Sequence, residues 1–190
     1  MTGYALFPTA IGECAVAWRE RGLVGVYFPE VSEAATRQRI ERRWPGAAPA
    51  APPPAVAEAI AAITALLVNG RSDLTWIEID MEGIDAFERQ ILDAARRIPP
   101  GTTRTYGELA AEVGQPGEAR AVGTAMARNR FPIVVPCHRV LAAGGGFGGF
   151  SAPGGLESKA RLLTIERAAI SDAPLLFDDL PITVRPRRSP

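Results

Sequence analysis

The one histidine of this 190-residue chain, His138, directly follows Cys137, one of only two cysteines. A free thiol has a pKa of about 8.5 and is a weak nucleophile until it becomes thiolate. An adjacent base supplies that activation, and imidazole is the side chain whose ordinary pKa suits the task near neutrality. A carboxylate elsewhere would have to orient the ring, as in other nucleophile–base–orienter sets. Taken alone, the pair reads slightly better as an inert buried cysteine beside a core histidine. Two cysteines and one histidine fall short of the four ligands of a structural zinc site, so no metal is expected. A Cys14–Cys137 disulfide is open to the sequence, but a reducing, cytoplasmic compartment is expected, where such bonds are rare.

The elements around the pair must position it. Val134-Val135-Pro136 leads into it, and the proline cannot donate a ladder hydrogen bond. Upstream, Asp85 is placed to cap a helix running to about Arg97, with Glu88 as its capping-box partner. Thr105 begins a short helix over 106–113, and Gly114-Gln115-Pro116-Gly117 turns the chain into a second helix from Glu118 to about Arg128. Two short helices across a glycine-containing turn match a helix-turn-helix. The second carries small residues and lacks the Asn, Gln and Arg cluster that reads base edges, so any DNA binding should have little sequence preference. A glycine-rich loop, 142–155, leads into a last helix within 154–166. No Lys-Ser or Lys-Thr follows it to complete a phosphate-binding P-loop.

The first 80 residues differ in texture. Short apolar runs at 5–7, 15–18 and 23–28 alternate with turn signals and predict hairpin strands. Residues 32–44 predict a helix capped by Ser32, 45–54 a Pro/Ala loop, 55–68 a helix ending at Asn69-Gly70, and 74–79 a further strand. The expected architecture is an α/β N-terminal domain with a small antiparallel sheet over 1–80. A mostly α-helical, winged-helix-like domain containing the helix-turn-helix follows over 85–167, and then a tail, 168–190, of unknown role.

With 47% apolar and 22% charged residues the chain can bury a real core. No apolar run reaches the roughly 18 residues of a membrane span, and the start lacks a signal-peptide pattern. Net charge is zero, yet residues 1–85 carry 7 arginines against 11 acids and residues 86–190 carry 14 cations against 10. A basic C-terminal half could meet a phosphate backbone while the acidic half faces away. All cations but Lys159 are arginine.

Several segments together resemble the O6-alkylguanine-DNA alkyltransferases over about 86–167: Thr105-Tyr106-Gly107-Glu108-Leu109-Ala110, Arg120-Ala121-Val122-Gly123, Asn129, and Pro132 through Val140 with its Pro-Cys-His-Arg core. The resemblance implies direct repair without a cofactor. Double-stranded DNA carrying alkylated guanine is the partner, the damaged nucleotide is flipped out, and its alkyl group passes irreversibly to Cys137. A monomer is expected, with cooperative binding on DNA and O4-alkylthymine as a second substrate left open. Flipping is required because the reactive carbon lies inside the base stack. By resemblance, His138 acts through a water as base, Glu166 polarises it, Asn129 ties the surrounding turns, and Arg139 braces the site. Tyr106 rotates and holds the nucleotide, Arg120 fills the vacated stack, and Ala119 and Ala121 let the helix approach DNA. Met126, Val140, Phe150 and Ser151 line the base pocket, the serine through its backbone N–H to O6.

Three features depart from the family pattern: Arg130 follows Asn129 where proline is usual, Phe150 replaces a commoner tyrosine, and Gly144-Gly145-Gly146 strips one pocket wall of side chains. Two other classes fit parts of the sequence. A lesion sensor would need no nucleophile, and a Cys–His hydrolase would need an oxyanion hole and would turn over.

Overall fold

The computed structural model describes residues 1–168. Three strands form as the turn signals predict: β1 (Gly3–Thr9), β2 (Gly12–Arg19) and β3 (Gly22–Tyr27), paired antiparallel. Alternation sorts β2 between two apolar layers. Cys14, Val16 and Trp18 enter the larger core, whereas Ala15 and Ala17 join Tyr4, Val24, Tyr27, Ile40 and Trp44 on the opposite face. That second face is covered by α1 (Glu33–Arg43), whose N-cap Ser32 accepts from the Ala35 amide.

Two expectations are corrected. The Pro/Ala stretch contains a two-residue strand, β4 (Ala48–Pro49), lying parallel to β1, so the sheet is mixed with order β3-β2-β1-β4. The strand expected at 74–79 does not form. Asp73 accepts hydrogen bonds from the Thr75 amide and hydroxyl, and its carbonyl accepts from the Trp76 indole, which curls the segment. Only Ile79 reaches the sheet, bridging Leu23.

Helix α2 (Pro54–Asn69) ends at Gly70 in the left-handed conformation, and there glycine is required sterically. A Cβ at 70 would lie 2.1 Å from the Ile165 carbonyl oxygen, at the end of the last helix. Helix α3 (Ala86–Arg96) is capped by Asp85, which accepts from the Glu88 amide. The complete reciprocal box forms one helix later, between Thr105 and Glu108. Helices α4 (Tyr106–Glu112) and α5 (Ala119–Ala127) flank the Gly114–Gly117 turn, and α6 (Gly155–Ile165) follows the glycine-rich loop. A parallel pair, β5 (Arg104–Thr105) and β6 (Val140–Leu141), joins the entry to α4 with the segment leaving Cys137. One apolar cluster runs from Phe7 through Ile91 and Val122 to Leu162, so the sheet and the helices share a core. No described helix is long and apolar enough to cross a membrane. Of the 168–190 tail, all but Ala168 lies outside the described residues.

Candidate active site

The turn carrying Cys137 is held in a costly conformation by its neighbours. Ile133, a β-branched residue, has φ 76°, a region such side chains avoid. Asn129 spans the turn: its Oδ1 accepts from the Phe131 amide at 2.9 Å and its Nδ2 donates to the Val135 carbonyl at 2.8 Å. Short polar side chains bond local backbone in this way. Closely following backbone bonds, Val135 N to Phe131 O and Cys137 N to Val135 O, deliver the chain into a single turn of tight helix, Cys137–Arg139.

That turn separates three side chains with different partners. Cys137 is 8% exposed and lines a cavity of about 920 Å³. His138, fully buried, points its Nε2 at Oε1 of Glu166, 2.9 Å away. Arg139 closes a two-pronged contact on the same carboxylate, from Nε and Nη2 at 2.8 Å each, and its Nη1 donates to the Ile98 carbonyl. Burial works against ionising Glu166, but the bonds from His138 and Arg139 prevail and hold its pKa at about 2. A carboxylate ionised at all ordinary pH can only accept, so Nε2 carries the ring hydrogen. The lone pair of neutral His138 is therefore on Nδ1, which is buried and has no hydrogen-bond partner among the described residues. Burial lowers the His138 pKa, with Glu166 opposing, so the ring rests neutral and able to accept a proton.

Burial pushes the Cys137 thiol up; Asn129 and the positive charge of Lys159 pull the other way. Lys159, the chain's single lysine, is fully buried on α6. Its Nζ donates to the carbonyls of Val140, at 2.7 Å, and Phe147, at 2.5 Å, and lies 5.9 Å from the Tyr106 ring centre. Burial depresses its pKa to about 8. The sequence marked Lys159 as unusual without giving it a place in the site. Its signal was a lone lysine among arginines on a helix that also needed a buried face. Cys14 is also a free thiol, buried in the sheet core with its pKa raised by burial to about 11.

Tyr106 opens α4 half-buried on the cavity wall, between the glycine-rich loop and α5. A Cβ on Gly148 would lie 3.0 Å from its ring, so the loop backs the tyrosine closely only because residue 148 has no side chain. Arg120, exposed, and Met126, buried, line the same cavity from α5. Phe150 and Ser151 line it from the loop. Phe150 meets Phe28 edge-on, with ring centres 5.9 Å apart, and Ser151 Oγ donates to the Ala127 carbonyl. Val140 is placed differently from expectation: it is fully buried, is not among the cavity-lining residues, and offers its carbonyl to Lys159. Ala119 and Ala121 lie half-buried on α5 outside the cavity wall.

The arrangement places a thiol on a cavity wall next in sequence to a buried imidazole oriented by a carboxylate. The model of the 6-O-methylguanine DNA methyltransferase DNA-binding domain matches residues 86–168. The methylated-DNA–protein-cysteine methyltransferase of Mycobacterium leprae is 42% identical over 124 residues, 65% of this chain and 73% of that protein. Its counterpart in Mycolicibacterium paratuberculosis is 47% identical over 102 residues, 54% and 60% of the two chains. Among solved structures, Mycobacterium tuberculosis OGT in complex with DNA superposes with a TM-score of 0.66 at 30% identity, covering 88% of this chain and 96% of that one. The O6-methylguanine-DNA methyltransferase of Pyrococcus kodakaraensis gives 0.64 at 27% identity, over 87% and 99%. On identity, coverage and fold together, this chain belongs to the methylated-DNA–protein-cysteine methyltransferase family.

Proposed function

We propose that the protein repairs DNA directly, moving the O6-alkyl group of a flipped guanine onto Cys137 in a single turnover. The observation that carries this reading is that Cys137, Tyr106 and Arg120 border one cavity. In the proposed reaction the sulfur's proton passes through a bridging water to His138 Nδ1. The sulfur then attacks the alkyl carbon, the S–C bond forms as the C–O6 bond breaks, and the bonding pair leaves on O6. That oxygen receives the Ser151 backbone N–H, and the guanine regains a proton as the imidazolium releases one. Glu166, ionised and fixed by Arg139, stabilises the transient imidazolium. A thioether does not hydrolyse, so each molecule acts once.

In this reading residues 85–167 are the DNA-binding and transfer unit. Helices α4 and α5 act as a helix-turn-helix, with α5 entering a groove and Arg120 occupying the space left by the extruded base. Extrusion costs on the order of a few kcal/mol, least for a mispaired lesion. Residues 1–80 form the unit that packs behind it. Incubation with a duplex carrying O6-methylguanine, followed by intact-mass measurement, tests the proposal. The wild-type protein is expected to gain one methyl group and Cys137→Ser none. Binding without mass gain would make the protein a lesion sensor, and repeated product release would make it a hydrolase.

A further inference from the structure

The cavity beside Cys137 extends well beyond the sulfur. At about 920 Å³ it lies at the upper end of sites that enclose a whole small molecule, and α1 of the N-terminal unit lines part of it. Arg39, Arg42 and Arg43 line it there, with Arg128 and Arg130 contributed by the segment after α5. The acidic first half therefore does not turn a uniformly acidic face to the site. Four of the seven arginines in residues 1–85 sit on α1, and three of these border the same cavity as the nucleophile.

These cations are poorly compensated. Arg39 pairs with Glu30 and Arg43 stacks on Trp44, 4.3 Å from the ring centre. Arg130 reaches only the Glu82 carbonyl, at 3.4 Å. Its pKa is lowered first by burial and then by the charge of Arg43 across the cavity. The side chains of Arg42 and Arg128 form no hydrogen bond or ion pair among the described residues, and Glu88 and Asp80 offset the charges of Arg128 and Arg130 only at longer range. Like charges gathered this way cost stability unless an anion enters, and planar guanidinium groups match phosphate oxygens two at a time.

We infer that this arginine-lined part of the cavity binds backbone phosphates of the damaged DNA, which makes α1 of the N-terminal unit part of the DNA interface. The inference rests on the repair reading. DNA is the anion favoured because Cys137 and Arg120 line the same cavity as these arginines.

The test is equilibrium binding of an O6-methylguanine duplex as a function of salt, in a full-length Cys137→Ser background that cannot react. Each lost phosphate contact lowers the slope of log affinity against log salt by about 0.9. The pair Arg39→Ala/Arg42→Ala is expected to lower it by about 1 to 2 and to weaken binding at least several-fold. The thermal midpoint should stay level or rise as repulsion is relieved. The pair Arg39→Lys/Arg42→Lys, which keeps both charges, is expected to restore most of the slope. An alanine pair with parental affinity and slope overturns the inference, as does a lysine pair that binds as poorly as the alanine pair. Failure of the repair reading would appear separately, as absence of methyl gain on the wild-type protein.

Discussion

Glu166 Oε1 lies 2.9 Å from His138 Nε2, and the same carboxylate is gripped by Arg139 at 2.8 Å through two nitrogens. One residue at the end of α6 thus sets both the tautomer of the base and the charge balance of a buried cluster. Replacing it by glutamine keeps the shape and removes the charge. Arg139 would be left buried without its anion, which costs about 3 to 5 kcal/mol. Glu166→Gln should therefore lower stability by that order in urea titration and slow alkyl transfer at least a hundredfold, the lower range for a lost general base. Near-wild-type values for both would remove Glu166 from the mechanism.

The same carboxylate predicts an acid limit. Its pKa in the folded protein, about 2, lies below the ordinary 4.5, so the unfolded chain binds the proton more readily. The resulting stabilisation is fully present above about pH 4.5 and is lost as pH falls toward 2. Urea midpoints measured from pH 5 to 3 should fall in the wild type and fall less steeply in Glu166→Gln. Parallel curves would contradict the assignment.

Lys159 brings a positive charge to the sulfur and ties the carbonyls of Val140 and Phe147. Lys159→Met keeps the length without the charge. The pH profile of Cys137 alkylation by iodoacetamide should move upward, with slower reaction at neutral pH. An unmoved profile would reduce Lys159 to a loop brace.

Gly70 packs against the end of α6, where a methyl group would meet the Ile165 carbonyl at 2.1 Å and the Glu166 Cα at 2.9 Å. Gly83 is also left-handed, at φ 72°, and faces open space. Gly83→Ala should cost only the conformational penalty, about 1 to 2 kcal/mol. Gly70→Ala should cost more and also slow alkyl transfer by displacing Glu166. Equal losses of stability with unchanged transfer would show that α2 does not position α6.

The local signals in the sequence translated well wherever the chain decides its own shape. Ser32, Asp85 and Thr105 cap the helices that their side chains can reach, and Gly70 ends α2. The contact between His138 and Glu166 was legible only through the resemblance, because 28 residues separate ring and carboxylate. What depended on distant partners was not legible. The 74–79 segment has strand-like alternation, but Asp73 curls it before the sheet edge can recruit it. Strand β4 exists only because β1 offers an unpaired edge. Charge balance by halves concealed the arginines of α1, since their effect depends on lining the same cavity as α5 and not on their number.

The central claim is a stoichiometric transfer to one sulfur, and peptide-level mass mapping after reaction with a limiting O6-methylguanine duplex addresses it most directly. The account predicts one methyl group per lesion consumed, all on the peptide containing Cys137 and none on Cys14, with guanine restored in the DNA. Methyl on another residue, or lesion consumed in excess of methylated protein, would contradict it.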